Sequence, residues 1–194
     1  TPSFYNDCVK LKVKGNRVLL EKIGWVKTNE PLPVDCKYYN PRIKFDGKYW
    51  YLTVGIEVET EKSVLDGRIV GVDVGIRELA VTSDGVFYEN INKTASVRKV
   101  EKRLKRLQRR ASKKYKKGTL KSKHLLKLEG KIRKHHRRLV NIRTNHVHQA
   151  TAEIVKSKPF RIVMETLNIR GMMKDKHLAK AVANQKLYFF KQCL

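Results

Sequence analysis

A long basic segment with a helical pattern of apolar residues sets the strongest limit on how this chain can fold. Between Arg98 and Arg143 there are 21 Lys and Arg residues against two acidic residues, so this segment carries +19 of the net charge of +26. Gly118 interrupts the segment, so we expect two long helices that form a basic hairpin over residues 95–158. The apolar residues that predict these helices recur at intervals of three and four: Val97, Val100, Leu104, Leu107, Leu125, Leu128, Ile132, Leu139 and Ile142.

The ends of the second helix are marked by residues with strong local preferences. Thr119 and Ser122 are both suited to cap its first turn. Pro159 ends it, because proline lacks an amide hydrogen and its ring clashes with the preceding turn. Since a helix of about 20 residues is about 30 Å long, each arm of the hairpin is expected to span roughly the width of a small domain.

The charge of this hairpin predicts a polyanionic partner. Exposed helices usually mix positive and negative residues that pair across one turn, whereas most cations here have no acidic residue within reach. Phosphate groups would relieve the resulting repulsion, and the binding would depend steeply on salt. The alternative is a solvated helix pair without a ligand. The residues expected to bind a nucleic-acid backbone are Lys102, Arg103, Arg106, Arg109, Arg110, Lys113, Lys123, Arg133, Arg137, Arg138 and Arg143.

Two acidic residues end short apolar strands on either side of the basic segment. Asp73 follows the apolar residues 69–72, and Glu165 follows residues 161–164. A carboxylate in a buried strand costs several kcal/mol unless a cation compensates it. Two carboxylates on neighbouring strands would form a site for a hard divalent cation, which prefers oxygen ligands. The alternative is that each acid faces solvent or pairs with one of the many lysines.

The cysteines and histidines do not suggest a further metal site. Cys8, Cys36 and Cys193 are far apart and odd in number, as expected for free thiols in a reducing cytoplasm. The neighbouring histidines are one or two residues apart, so on a helix they would point to different faces. No apolar run has the length of a membrane-spanning helix, and the first residues lack the pattern of a signal peptide.

Strand patterns dominate the rest of the chain. Val9, Leu11 and Val13 alternate with lysines, and Asp46-Gly47 separates two strand-like runs, which is a strong hairpin signal. We expect a small antiparallel β-domain over residues 1–62. After a boundary near residue 63, strands are expected at residues 68–74, 79–82, 86–91 and 161–165, and a helix at residues 177–190.

Several of these segments together resemble the TnpB (OrfB) family encoded by bacterial and archaeal insertion sequences, which is related to type V CRISPR effectors. The resemblance covers nearly the whole chain. Residues 71–76 and 79–85 resemble the family's first RuvC motif, and residues 163–172 resemble the second. Further matches are the run at residues 106–110, Ser122-Lys123, residues 141–143, residues 22–27 and the turn at residues 46–47.

This resemblance implies an α/β protein with an RNase H-like (RuvC) core, into which the basic helical hairpin is inserted. Residues 1–62 would be part of a wedge-type β-domain, and residues 63–194 the RuvC-like domain. The implied function is RNA-guided, metal-dependent DNA cleavage, with guide RNA and target DNA as partners in a bacterial or archaeal cytoplasm. Asp73 and Glu165 would be the first and second catalytic carboxylates and would bind Mg²⁺ or Mn²⁺.

One departure from the family limits this expectation. The family has a third RuvC motif with another catalytic Asp, preceded by a four-cysteine zinc ribbon. Neither is found before Leu194, and Asp84 and Asp175 do not match the third acid. We therefore expect a fragment or shortened copy that is inactive as this chain and holds no zinc. The alternatives are a nuclease-dead protein that binds RNA and DNA without cutting, and a basic RNA-binding protein of the ribosomal type.

Overall fold

The computed structural model describes residues 3–5, 11–34, 36–59 and 64–194. Its residues form two compact units, Thr1–Glu61 and Lys62–Leu194. The first unit contains β-strands, and the second combines a small sheet with helices. The predicted α/β class is therefore confirmed at the level of a mixed chain with small antiparallel sheets.

The strands of the unit Thr1–Glu61 are β1 (Ser3–Tyr5), β2 (Lys12–Lys14), β3 (Arg17–Leu20), β4 (Gly24–Lys27), β5 (Tyr39–Phe45) and β6 (Trp50–Gly55). They form two three-stranded antiparallel sheets, with strand orders β1-β5-β6 and β2-β3-β4. The predicted turn at Asp46 joins β5 to β6, and the Asp46 carboxylate accepts hydrogen bonds from the backbone N–H groups of Lys48 and Tyr49. Val9, predicted in a strand, lies outside the described residues.

The strands of the second unit are β7 (Asp66–Val74), β8 (Ala80–Thr82), β9 (Phe87–Tyr88) and β10 (Pro159–Met164). They form one four-stranded sheet with the order β10-β7-β8-β9. The first three strands along the chain form an antiparallel meander, and β10 pairs parallel with β7. The predicted third strand is shorter than expected, because the Asn90 side chain accepts from the Asn92 N–H and starts a 3₁₀ turn at Ile91–Lys93.

The predicted basic hairpin is present as α1 (Ala95–Lys114) and α2 (Lys123–Lys156). Of the two suggested caps for α2, Ser122 has this role, and its hydroxyl accepts from the Leu125 N–H. The arms are held together by apolar residues of the predicted pattern, and most of the basic residues are exposed. The buried residues of this seam are Val97, Val100, Leu104 and Leu139, with Ile132 and Ile142 packed against them.

The predicted helix at residues 177–190 is instead two helices, α4 (Ala179–Gln185) and α5 (Leu187–Cys193), after a single turn α3 (Ile169–Met172). Lys186 separates them in the left-handed conformation, with φ 56° and ψ 40°. This conformation costs about 1–2 kcal/mol for a residue with a side chain. The Lys186 amine donates to the Thr144 hydroxyl, and the break allows the next helix to bury Leu187 and Phe190.

The core of the second unit lies on one face of its sheet. Val70, Val72 and Val74 alternate inward along β7 and belong to this core. The helices that cover them contribute buried residues from α2, α4 and α5, namely Val147, Ala150, Ile154, Val182, Leu187 and Phe190. The opposite face of the sheet carries the remaining residues of β7. In the described part of the chain, no helix is long and apolar enough to cross a membrane.

Candidate functional site

Asp73 and Glu165 are brought side by side on the outer face of the sheet. Asp73 is exposed between the buried Val72 and Val74, because successive strand residues point to opposite faces. Met164 is paired with Val72, so Glu165 follows next to Asp73 as the chain leaves β10. Neighbouring strands lie about 4.8 Å apart, which allows both carboxylates to contact one cation.

The two carboxylates line an open cleft of about 440 Å³, together with Gly71, Ser83 and nearby residues of β7 and β8. The Ser83 hydroxyl accepts a hydrogen bond from the Gly71 N–H at 3.1 Å. A methyl group added at Gly71 would lie 3.6 Å from the Ser83 Cβ, so the absence of a side chain there leaves space next to the acids. The cleft is also lined by Val81, which is paired with Asp73 on the neighbouring strand.

The chemistry of this cleft fits a hard divalent cation held by few protein ligands. Mg²⁺ is typically bound by one or two carboxylates and keeps several waters. Both acids are exposed, so such a hydrated ion has access to them. The residues described in the structure contain no group of three or more His, Cys, Asp or Glu side chains able to hold a metal. The candidate metal site of this part of the chain is therefore a pair of carboxylates.

The cations predicted to bind phosphate lie on the outer surface of the hairpin, with two exceptions. Arg137 and Arg143 are partly buried, and the other nine predicted cations are exposed. Lys102, Arg106, Arg109 and Lys113 are spaced by three or four residues along α1, so they form one stripe. We call these four residues the α1 stripe. It faces away from Leu104 and the other seam residues, as the helical period requires.

Arg143 has partners within the protein. Its Nη2 donates to Glu101 Oε1 at 2.7 Å, and its Nε donates to Asn92 Oδ1 at 2.7 Å. Its side chain is only 13% exposed. Glu129, the other acidic residue between Arg98 and Arg143, accepts a hydrogen bond from Lys121 at 2.7 Å. Arg143 therefore joins α2 to α1 and to the 3₁₀ turn, so its charge is compensated within the protein and does not need a phosphate.

A buried polar network connects the hairpin with the turn that follows Asp73. Asn92 donates to Gln185 Oε1 at 3.1 Å, and Gln185 Nε2 donates to the carbonyl oxygens of Gly75 and Glu78 at 3.2 and 3.3 Å. Asn90 donates to the Ile76 carbonyl at 2.7 Å. Sequence reasoning did not find Gln185 or the two asparagines, since their partners come from distant segments. Ser83 was also missed, although it begins the predicted turn after β8.

His135 lies on α2 close to two of the predicted phosphate ligands. Burial lowers the pKa of His135 below its ordinary value, and the guanidinium charges of Arg103 and Arg138 lower it further. Its pKa therefore reports on the electrostatic potential between the arms of the hairpin.

These features define a mixed α/β protein with a carboxylate pair at a sheet and a large basic surface. The family OrfB_IS605, described as "Probable transposase", matches residues 53–176. The chain belongs to this family, and the predicted resemblance to TnpB (OrfB) proteins is confirmed.

Individual relatives have consistent names. The chain is 32% identical over 172 residues to a protein of Escherichia coli strain K12 named as an RNA-guided DNA endonuclease, InsQ; the match covers 88% of this chain and 41% of InsQ. It is 26% identical over 160 residues to a protein of Streptomyces pristinaespiralis with the same kind of name, covering 82% of this chain and 38% of that protein. The chain thus spans less than half the length of these relatives.

Among solved structures, a cryo-EM structure of a CRISPR-Cas12f ternary complex aligns with 94% of this chain and 39% of the Cas12f chain. The sequence identity is 18% and the TM-score is 0.37.

Proposed function

We propose that this chain is the part of a TnpB-type RNA-guided DNA endonuclease that carries two of its metal-binding carboxylates. Residues 63–194 would be the RuvC-like domain with the basic helical insert, and residues 1–62 part of a wedge-type domain. The topology supports this proposal: an antiparallel meander is followed by a helical crossover to a fourth strand, which pairs parallel with the first. The proposed location is the cytoplasm of a bacterium or archaeon.

The observation that carries the proposal is the adjacency of Asp73 and Glu165 in one open cleft. In this proposal the two carboxylates would hold Mg²⁺ or Mn²⁺. The ion would supply Lewis-acid stabilisation of the charge on a phosphate group. Gly71 leaves space beside the acids for the nucleic-acid backbone, which carries that phosphate.

Guide RNA and target DNA are the proposed partners, in keeping with the names of the relatives. The exposed cations of the hairpin, including the α1 stripe, would bind the phosphate backbone. Such contacts position a nucleic acid without reading its sequence, and in RNA-guided proteins base pairing supplies the sequence specificity. The basic hairpin would therefore bind the nucleic-acid backbone, and the carboxylate pair would face one nucleic-acid strand.

Metal binding is the first test. We expect the chain to bind Mn²⁺. The electron paramagnetic resonance signal of the free ion measures this binding. Asp73→Asn and Glu165→Gln should each weaken this binding at least about 10-fold, the loss typical of removing even an outer partner of a metal ligand. Asp175→Asn is the matched control, because Asp175 is exposed and lies outside the cleft. An unchanged Mn²⁺ affinity in Asp73→Asn would contradict the proposed site.

A second candidate function is a protein that binds RNA and DNA without cutting. The observation in its favour is that the described residues contain no group of three or more metal-ligating side chains. A cleavage assay with guide RNA, target DNA and Mg²⁺ separates the two functions. Because this chain is expected to be inactive by itself, the assay includes a version extended through the third RuvC motif. Cutting by the extended version that disappears in its Asp73→Ala variant supports the endonuclease, whereas binding of both nucleic acids without cutting by either version supports the second function.

Nucleic-acid binding should raise the pKa of His135. Phosphates placed next to Arg103 and Arg138 would cancel the positive potential that lowers this pKa, while burial of the ring would persist. The pKa should therefore rise toward its ordinary value without necessarily reaching it. NMR titration of the histidine side chains, with and without a short oligonucleotide, measures this change. A His135 pKa that stays constant or falls on binding would contradict phosphate contacts at these two arginines.

A further inference from the structure

Phe87 is an aromatic residue that the sheet leaves in solvent beside the candidate metal site. Its side chain is 67% exposed, whereas its neighbour Tyr88 is buried in the core. The alternation is that of a strand, so Phe87 points to the same outer face as Asp73. A phenylalanine in this position forgoes the stabilisation that burial would supply.

The strand register places Phe87 in one row with the two carboxylates. Asp73 is paired with Val81, and Val81 is paired with Phe87. With Glu165 beside Asp73, the row across the outer face is Glu165, Asp73, Val81, Phe87. Phe87 is two strand spacings from Asp73, about 10 Å. This is within reach of the base of a nucleotide at or next to a phosphate held at the carboxylates.

Phe87 belongs to the β-hairpin of β8 and β9, whose turn is held by hydrogen bonds. The Thr82 N–H donates to the Val86 carbonyl at 3.0 Å, and the Val86 N–H donates to the Thr82 hydroxyl at 3.2 Å. The buried Tyr88 anchors the strand on its other face. A side chain on a supported strand offers a preformed surface, so stacking on it orders few protein atoms.

We propose that Phe87 is a positioning residue that stacks on an unpaired base and thereby sets which phosphate of the strand faces Asp73 and Glu165. This inference rests on the proposed function, because it assumes a nucleic-acid strand at the cleft. The chemistry of the row agrees with such an occupant. Carboxylates with a cation suit the phosphate, the apolar Val81 suits the sugar, and the aromatic ring suits a base.

The test is photocrosslinking with a single-stranded oligodeoxynucleotide of about ten nucleotides, a length typical of single-strand sites, that carries one 5-iodouracil. The adduct is mapped by mass spectrometry in the presence of Mn²⁺. We expect a crosslink at Phe87 that is absent with the duplex form. Phe87→Ala should reduce the crosslinking yield in the β-hairpin of β8 and β9 by roughly five-fold or more. Phe87→Trp should restore this yield, since a larger ring also stacks on a base.

Phe160→Ala is the matched control, because Phe160 is an exposed aromatic residue at the opposite end of β10. It should leave the crosslink at Phe87 unchanged. An equal yield in Phe87→Ala, or crosslinks on other surfaces alone, would overturn the stacking role.

The Mn²⁺ titration separates this failure from that of the proposed function. If Mn²⁺ binding depends on Asp73 but no crosslink forms at Phe87, the stacking role alone is contradicted. If Mn²⁺ binding does not depend on Asp73, the proposed metal site is contradicted.

Discussion

The affinity of this chain for a nucleic acid should fall by roughly 10³–10⁵ between 50 and 200 mM salt, if its hairpin neutralises about 6–10 phosphates. The reason is that each Lys or Arg contact releases counterions from the polymer. The segment from Arg98 to Arg143 has 21 cations and two acidic residues, so ample positive charge is available. Fluorescence anisotropy of a labelled oligonucleotide, measured over a series of salt concentrations, gives the slope.

Neutralising three of the four residues of the α1 stripe should flatten this dependence. Replacing Lys102, Arg106 and Arg109 by Gln removes three exposed cations from one side of α1. The magnitude of the slope of log K against log salt, where K is the association constant, should fall by about 0.9 for each phosphate of duplex DNA that these cations neutralise. The control replaces the exposed cations Lys174, Lys176 and Lys180, which lie outside the hairpin. Equal slopes in the two triple variants would contradict a role for the α1 stripe.

Phe190→Ala should destabilise the second unit by about 3–5 kcal/mol, because it removes a fully buried ring from the core under the sheet. This loss is a large fraction of the roughly 5–15 kcal/mol that stabilises a typical domain. Urea denaturation followed by far-ultraviolet circular dichroism measures it, because the helices described in the structure belong to Lys62–Leu194. The midpoint should fall while the slope of the transition stays the same.

Two comparisons make this result specific. Tyr188→Ala, in the same helix but 62% exposed, should change stability by less than about 0.5 kcal/mol. Trp25 and Trp50, the two tryptophans of the chain, both belong to Thr1–Glu61, so tryptophan fluorescence follows the unfolding of the other unit separately. A destabilisation as small as that of Tyr188→Ala would mean that α5 does not contribute to the core.

The sequence predicted the elements of the candidate site better than their surroundings. The hairpin followed from the spacing of Val97, Val100 and Leu104, because helical periodicity is a local property that each turn repeats. Asp73 and Glu165 were found as acids at the ends of apolar strands for the same local reason. Their roles as metal ligands and those of the hairpin cations as phosphate ligands remain predictions.

Other features of the site depend on contacts between distant segments. Gln185 shows no signal in the sequence, because its partners are backbone carbonyls about a hundred residues earlier. Arg143 looks like any other cation of the hairpin until its partners Asn92 and Glu101 are known. In the sequence, Phe87 has the features of an ordinary strand residue. Only the sheet register places it in a row with Asp73 and Glu165.

The sequence by itself determined the helical hairpin, its surplus of positive charge and the two acids at strand ends, since periodicity, caps and charge act over a few residues. Only the tertiary structure decided that β10 pairs parallel with β7, which brings Glu165 next to Asp73. It also decided that the last helix breaks at Lys186, where burial of Leu187 and Phe190 outweighs the cost of a left-handed residue. Both outcomes depend on the packing of the core, which no single segment encodes.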